Sequence, residues 1–426
     1  MASVLERERF KVRILDAQAE RLLPDAIVRT AAEGKWDLIG ITATTGLIRN
    51  AAEIAARLKV VLPQVPVVLG GVHPTVLPDE VLALPGVDYV VRGEGEHTLL
   101  ELAQGKDPAS IPGLSWVREG EPVHNNDRQV IDDLDSIPFP AYHLLPMDKY
   151  YPAPGAYRRL PATSLLATRG CPGHCTFCYR IFGQRLRVRS GCNVAEEVRL
   201  LKERYGIREI AFYDDTFTSV RKNILEFCRI LCDERMDVAW SCFSRVDFVD
   251  EDLLRAMKQA GCHQIMYGFE SACPEILAAI HKKTDLERAY EAVRLTRKAG
   301  IDIRAAFMLG NPGETPDTME QTLRWAVRMN PDIAVFNITT PYPGTEMHAW
   351  AKSNGYLLTE DWNEYDLSRS VMRLPTVAPE IVDRFYRKAY RRYYFRPRYI
   401  VRRLWRLRQP RHLAAAWRGF KSLLGL

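Results

Sequence analysis

The chain has 426 residues, 47% apolar and 26% charged, with a formal net charge of +6, enough for two or three domains with their own cores. The N-terminus is charged and lacks the apolar stretch of a signal peptide, and no run of about 18 apolar residues occurs, which argues against a secreted or membrane-spanning chain and for a cytoplasmic one. All nine cysteines lie between Cys171 and Cys273, an odd set that excludes a disulfide scaffold and points to free thiols or metal ligands in the middle of the chain.

Residues 1–135 alternate short apolar runs with helical patterns. "KVRILDA", "WDLIGITA", "VPVVLGG" and "VDYVVRG" read as buried strands, and "GLIRNAAEIAARLKVVL" and "LPDEVLALP" as helices. Such alternation predicts a doubly wound, Rossmann-like parallel sheet with helices on both faces. "GLSWVREGEPVHNN" adds a hairpin turning at Glu119 and Gly120. Loops after parallel strands form a crevice, and here they carry Thr42, Thr44, Thr45, Gly70, Gly71 and the "RGEGE" segment with Glu94 and Gly95. "GEGEHT" lacks the third glycine of a dinucleotide fingerprint.

Residues 136–163 carry Pro138, Pro140, Pro146, Pro152, Pro154 and Pro161, too many for a helix or central strand. They predict an extended interdomain segment, held to a surface by Phe139, Tyr142, Tyr150, Tyr151 and Tyr157. From 164 to 375 the alternation resumes with six strands, "SLLAT", "EIAFY", "VAWSCF", "QIMYGF", "IRAAFML" and "AVFNIT". Six βα units make a partial (β/α)6 barrel resembling a TIM barrel, with functional residues where strands end.

The loop after the first of these strands reads "RGCPGHCTFCYR". Four cysteines would close a zinc or iron-sulfur site, whereas three thiolates leave one iron of a cubane open to a chelating amine and carboxylate. A zinc site or scattered free thiols is the plainer alternative. "CPGHCTFC", with Phe177 before the last cysteine, resembles the CxxxCxxC signature of radical S-adenosylmethionine enzymes. The resemblance covers roughly residues 160–375. It implies a [4Fe-4S] cluster on Cys171, Cys175 and Cys178, with S-adenosylmethionine on the open iron.

It also implies roles for the strand ends. Asp214 and Asp215 of "FYDDTFT" lie near the amino group of S-adenosylmethionine, although they could equally be a helix cap and a solvated neighbour. Ser241 and Arg245 lie near its carboxylate and sugar, Gly268 and Glu270 where backbone meets ligand, and Gly310, Pro312, Gly313 and Glu314 along the adenine. Pro343, Gly344 and Thr345 follow the sixth strand. The six remaining cysteines, Cys192, Cys228, Cys232, Cys242, Cys262 and Cys273, read as packing residues.

"VVLGGVHPTVLPDEVL" and "VDYVVRGEGEHTLLELA" look like segments of the cobalamin-binding domain that precedes the barrel in one branch of this superfamily. In that comparison the first domain lacks its opening βα unit. The DxHxxG pattern of a histidine ligand to cobalt is also missing, so His73 is expected to make a loop hydrogen bond. The branch implies hydrogen abstraction by a 5'-deoxyadenosyl radical and methyl transfer from cobalamin to an unactivated carbon. Radical cyclisation or rearrangement of a tetrapyrrole- or lipid-like substrate is the alternative, and a non-catalytic binding or electron-transfer protein is a further one. The implied partners are a small-molecule or lipid-like substrate and an electron donor such as flavodoxin or ferredoxin.

The tail, residues 376–426, is different in kind. From Arg384 onward it holds 14 Lys and Arg and no acid, so the rest of the chain is net −8. "RFYRKAYRRYYFR" puts aromatics on one helical face and cations on the other. Residues 384–396 are expected to pack on the barrel and 399–426 to meet an anionic membrane on its cytoplasmic face. Nothing beyond the arginines and aromatics suggests nucleic acid.

Overall fold

The computed structural model describes residues 1–150, 152 and 155–406. The first sheet has five strands in chain order: β1 (Ile39–Thr42), β2 (Val67–Gly70), β3 (Tyr89–Val91), β4 (Leu114–Arg118) and β5 (Glu121–His124). The first three are parallel, and β4 and β5 add an antiparallel hairpin whose turn residues Glu119 and Gly120 both have positive φ, 54° and 85°. That pair of left-handed residues is the turn that matches strand twist. Val67, Leu69 and Val90 face the helices Ile48–Val61 and Pro78–Leu82, while Val68 and Val91 face Leu99 and Leu102 of the helix Gly95–Ala103. Both faces of the sheet are therefore covered, as an apolar run on a parallel strand requires.

One predicted strand does not form. Residues 11–16 of "KVRILDA" run without a ladder, and β1 pairs with β2 alone. An extended segment with no adjacent strand cannot satisfy its amides in a sheet. It instead braces the interdomain segment, where the Tyr150 hydroxyl donates to Asp16 at 2.7 Å. That segment is partly sunk into the barrel: Tyr142 is buried and donates to Glu197 at 2.6 Å.

The second sheet contains β6 (Ala162–Leu165), β9 (Glu209–Phe212), β10 (Ala239–Ser244), β11 (Cys262–Glu270), β12 (Asp302–Leu309) and β13 (Ile333–Ile338) in that order, all parallel. Two short strands, β7 (Thr168–Arg169) and β8 (Arg187–Val188), form a separate antiparallel ladder. Alternation sets the two layers: Ile303, Ala305, Phe307 and Leu309 are fully buried under the helices, so Arg304, Ala306 and Met308 face the lumen. Helix starts are signalled locally, since Ser190, Asp250, Asp285, Thr315 and Thr345 each accept from the amide three residues on. Cys228, Cys242, Cys262 and Cys273 are buried as expected, but Cys192 and Cys232 lie on exposed helix faces and do not pack.

The tail helix Pro379–Tyr394 closes the open side of the sheet, burying Val382, Phe385, Ala389 and Tyr393. Two of its other tyrosines cap the edge strand. The Tyr394 hydroxyl accepts from Ala334 N at 3.1 Å and donates to Ala334 O at 2.7 Å, and Tyr390 does the same at Phe336, at 3.2 and 3.1 Å. The expectation of an interfacial surface starting at residue 399 needs correction: Tyr399 is buried and donates to Asp332 O, and Arg402 pairs with Asp332. Among the described side chains of the helix Pro397–Arg406, Ile400 and Val401 face outward, 40% and 54% exposed. The remainder of that tail, 407–426, lies outside the described residues. No helix of the described residues is long and apolar enough to cross a membrane.

An edge whose amides are capped by side chains is stabilised and shielded from pairing with another chain. The double substitution Tyr390→Phe and Tyr394→Phe should lower stability by about 2 kcal/mol, at roughly 1 kcal/mol per lost hydrogen bond pair. Urea unfolding checks this as a lower midpoint with unchanged slope.

Candidate active site

The cysteine loop hangs from the β7–β8 ladder at the C-terminal ends of the barrel strands. Gly170, at φ 89°, crosses so close to Arg185 O that a Cβ would collide with it, so the turn into Cys171 requires glycine. Cys171 N donates to Gly183 O at 3.2 Å, which closes the loop on itself. Thr176 N donates to Ile280 O at 3.1 Å and Thr176 O accepts from Met347 N at 2.9 Å, tying the loop to two barrel helices. The core packs against Phe177.

Three thiols on one loop repel one another once ionised. Desolvation by the loop, then the charges of Asp215, Cys175 and Cys171, push the Cys178 thiol up to about 11. Burial also raises Cys175, against the pull of Lys282. Such a set releases protons when it takes a cation. A cubane gives each thiolate its own iron, so its ligands stand wider apart than the donors of a single ion. The described residues contain no group of three donors close enough for a single metal ion. Three thiolates on one loop, with no fourth, are the donor set that leaves one iron of a cubane open to a further ligand.

The paired aspartates divide. Asp214, 2% exposed, turns into the wall and accepts from Ala167 N at 2.8 Å and from Thr168 N. It anchors the strand end next to the cysteine loop, contrary to the expectation that it meets the cofactor. Asp215 faces outward, near enough to Cys178 to act on its thiol. Gly268 has a use within the protein: a Cβ there would collide with the Glu270 carboxylate. The vacated space admits an ion pair, Lys282 Nζ to Glu270 Oε1 at 3.0 Å, at the rim beside Cys175. Burial opposes the Lys282 charge, but the adjacent Glu270 carboxylate outweighs it and holds the ammonium above its ordinary value. Nothing in the motif reading pointed to Lys282, although it stands only 12 residues after Glu270.

Arg245 is held by Asp247 at 2.7 Å and by Lys283 O at 3.2 Å. Ser241 lies in the lumen between Ala211 and Gln264. Gly310, at φ 80°, lies under Val382 of the tail helix, which takes the space where a Cβ would stand. Pro312 and Gly313 remain on the surface of that loop. Glu314 is buried and accepts from Gly310 N and from Asn311 N at 2.9 Å.

The crest of the first sheet faces this rim. Gly344, after β13, sits where a Cβ would strike Val76 and crowd Tyr179. A second contact is ionic: Arg169 pairs with Glu96 at 2.6 Å and Glu94 at 3.5 Å, and Arg187 with Glu94 at 2.7 Å. Burial works against the Glu96 charge, yet the Arg169 guanidinium holds its carboxyl below the ordinary range. Glu94 also accepts from Ile131 N at 2.8 Å, so its side chain is committed to the interface and not available as a cofactor ligand. Gly95 packs on Met1 and Val91. Gly71, at φ 104°, lies so close to Ala43 O that a Cβ would be 2.7 Å away, which stitches the first two loops. Thr45 is buried, while Thr42, Thr44, Gly46 and Gly93 remain exposed, and nothing approaches the absent Cβ of Gly46 or Gly93. Small residues on an open crest suit a flat, bulky ligand such as a corrin.

His73 makes no loop hydrogen bond. It is fully buried, edge-on to Trp362 at 5.4 Å, with Nε2 3.5 Å from Glu80, and burial holds its pKa below the ordinary value. The Trp362 indole, which donates to Glu80 at 2.7 Å, took the acceptor that a loop histidine would use.

Buried Glu314 supplies a pH test. Burial pushes its carboxyl up to about 7 despite the amides that favour its charge. The folded state therefore holds the proton more tightly than the unfolded chain, so this stability is present at low pH and lost as pH rises through 7. Unfolding in urea should show about 2 kcal/mol lower stability at pH 8 than at pH 5 from this group, and Glu314→Gln should flatten that difference.

Residues 165–326 match the model of the radical SAM superfamily and residues 1–103 that of the B12 binding domain. The chain is 38% identical over 403 residues to an uncharacterized methyltransferase of Pyrococcus horikoshii, covering 93% of this chain and 87% of that one. It is 30% identical to the anaerobic magnesium-protoporphyrin IX monomethyl ester cyclase of Rubrivivax gelatinosus, over 87% and 67% of the two chains. The fold is similar to that of the radical S-adenosylmethionine methyltransferase TsrM of Kitasatospora setae with cobalamin and a [4Fe-4S] cluster bound, with a TM-score of 0.69 at 21% identity over 83% of this chain and 71% of that one. A three-thiolate loop facing an open B12-type crest, in a chain this similar over nearly its whole length, belongs to the family of radical S-adenosylmethionine enzymes with a B12-binding domain.

Proposed function

We propose that the protein is a methyltransferase that acts on an unactivated carbon, with Cys171, Cys175 and Cys178 holding a [4Fe-4S] cluster. The observation that carries this reading is the crest of the first domain facing the cysteine loop. When bound, the cluster and S-adenosylmethionine supply a 5'-deoxyadenosyl radical, and cobalamin supplies the methyl group. Lys282, held charged by Glu270, is suited to the carboxylate of S-adenosylmethionine, and Asp215 to its amino group. Arg245, oriented by Asp247, can share the carboxylate. Thr42, Thr44 and the exposed Gly93 are the corrin-side candidates, and Gly70 and Gly71 shape that crest without a side chain of their own. Pro312 and Gly313 border the adenine side. An external flavodoxin or ferredoxin supplies the electron.

The likeness to the cyclase supports a second reading, radical cyclisation of a tetrapyrrole- or lipid-like substrate. The products separate the two, because methyl transfer leaves S-adenosylhomocysteine and cyclisation does not.

The domains we assign are 1–135 for the corrin, 136–163 as the connection, 164–375 for the barrel and 376–426 as the tail. The exposed Ile400 and Val401, next to Arg391 and Arg398, suit shallow insertion into an anionic bilayer.

Two measurements test these assignments. Anaerobic reconstitution with hydroxocobalamin, reductant and S-adenosylmethionine should yield deoxyadenosine and S-adenosylhomocysteine with retained corrinoid, and Cys175→Ala should lower deoxyadenosine formation at least 100-fold while keeping the corrinoid absorbance; a variant that still cleaves at the original rate would remove the cluster assignment. In flotation with phosphatidylglycerol vesicles, the double substitution Ile400→Asp and Val401→Asp should lower the bound fraction about tenfold; equal binding would dismiss the tail as a membrane contact.

A further inference from the structure

Among the described residues, the barrel lumen holds a cation, Arg304, that no ion pair neutralises. Arg304 stands on the inward face of β12, since Ile303 and Ala305 on either side are fully buried in the helix layer. Its partners in register are Met266 on β11 and Ile333 on β13, both apolar. Its Nε is buried and has no hydrogen-bond partner, the side chain as a whole is half-buried, and none of the ion pairs among the described residues includes it. Three other cations around the barrel are committed: Lys282 to Glu270, Arg245 to Asp247 and Arg158 to Asp302. A partly buried charge left unpaired costs stability, and a fold keeps such a charge without loss only where something else neutralises it.

The surroundings indicate what that something is. Phe243 is in register with Met266, and Met266 with Arg304. Tyr213 packs on Phe243 with ring centroids 5.3 Å apart. The four side chains form one row across the lumen, from the aromatic pair on the cysteine-loop side to the guanidinium near the tail helix, where Arg304 acts on the Tyr390 hydroxyl. Three strand spacings separate the ends of the row, about 14 Å. Above the row stand the small residues Gly268 and Ala306, and beside it Ala211 and Ser241, where an ordinary barrel interior is filled by bulky branched side chains.

We propose that Arg304 is a specificity-determining residue that binds an acidic group, carboxylate or phosphate, on a substrate whose apolar or aromatic body lies along Met266, Phe243 and Tyr213. The inference rests on the methyltransferase reading for the identity of the lumen as the substrate site, and it narrows the substrate class to amphiphilic acids. A guanidinium suits either acid through two parallel hydrogen bonds.

The test uses the full chain without cofactors, so that cluster or corrinoid loading does not enter, and a failure of the methyltransferase reading is read separately from the reconstituted enzyme. 2-Naphthylacetate, 2-naphthyl phosphate and 2-naphthaleneethanol are titrated by naphthyl fluorescence. At least one acid should bind tenfold or more tighter than the alcohol, and the tighter of the two identifies the acid class. Arg304→Met should abolish the preference without changing the affinity for the alcohol, and Arg304→Lys, which keeps the charge and checks folding, should retain part of it. Acids that bind no better than the alcohol, or a preference that survives Arg304→Met, would overturn the proposal.

Discussion

Everything at the active site depends on a buried cluster of four charges that joins the two sheets: Arg169 and Arg187 from the barrel, Glu94 and Glu96 from the first domain. Removing such groups from water costs several kcal/mol per ion, so the cluster is a poor source of net stability. Its value is directional. Arg187 also donates to Ile131 O and Phe182 O, each at 2.8 Å, and Glu94 accepts from Ile131 N. Those bonds fix the height of the first domain over the cysteine loop, which an apolar contact of equal area would leave free to slide. Arg169 lies two residues before Cys171, so the link that positions the domain also positions the first thiolate.

The fold was legible where a pattern is local. The six barrel strands, the hairpin at Glu119 and Gly120 and the helix caps all follow from alternation, left-handed turn residues and short polar side chains. "KVRILDA" has the same alternation as its neighbours and is no strand, because a strand needs an adjacent one and that is not a property of its own residues. Cys192 and Cys232 were misjudged for a related reason: composition marks cysteine as apolar, but helix phase decides which face it takes.

At the site, the cysteine spacing was fully readable and the partners of the other residues were not. Asp214 and Asp215 are indistinguishable in sequence, yet the turn after β9 sends one into the wall and the other toward the thiols. Glycines are ambiguous in the same way: Gly71, Gly95, Gly268 and Gly310 each leave room for another part of the protein, a neighbouring loop, a methionine, an ion pair and a valine. A glycine reports that something comes close and says nothing about what.

The same distinction separates the lumen from the rim. At the rim, charges come in pairs, and each pair holds a cation ready without leaving it to disturb the thiols: Glu270 keeps Lys282 protonated beside Cys175, where a neutral amine would offer the sulfur no attraction. In the lumen, Ala211, Ser241, Gly268 and Ala306 leave space beside the larger side chains of Phe243 and Met266. A reactive radical abstracts hydrogen from whatever C–H bond it meets, so selectivity in such a chamber has to come from holding the substrate at a distance from the wall and at a fixed depth. Small side chains supply the distance. A fixed depth requires a strong polar contact far from the reacting carbon, and in the row that runs from Tyr213 through Phe243 and Met266, Arg304 is the side chain able to make it.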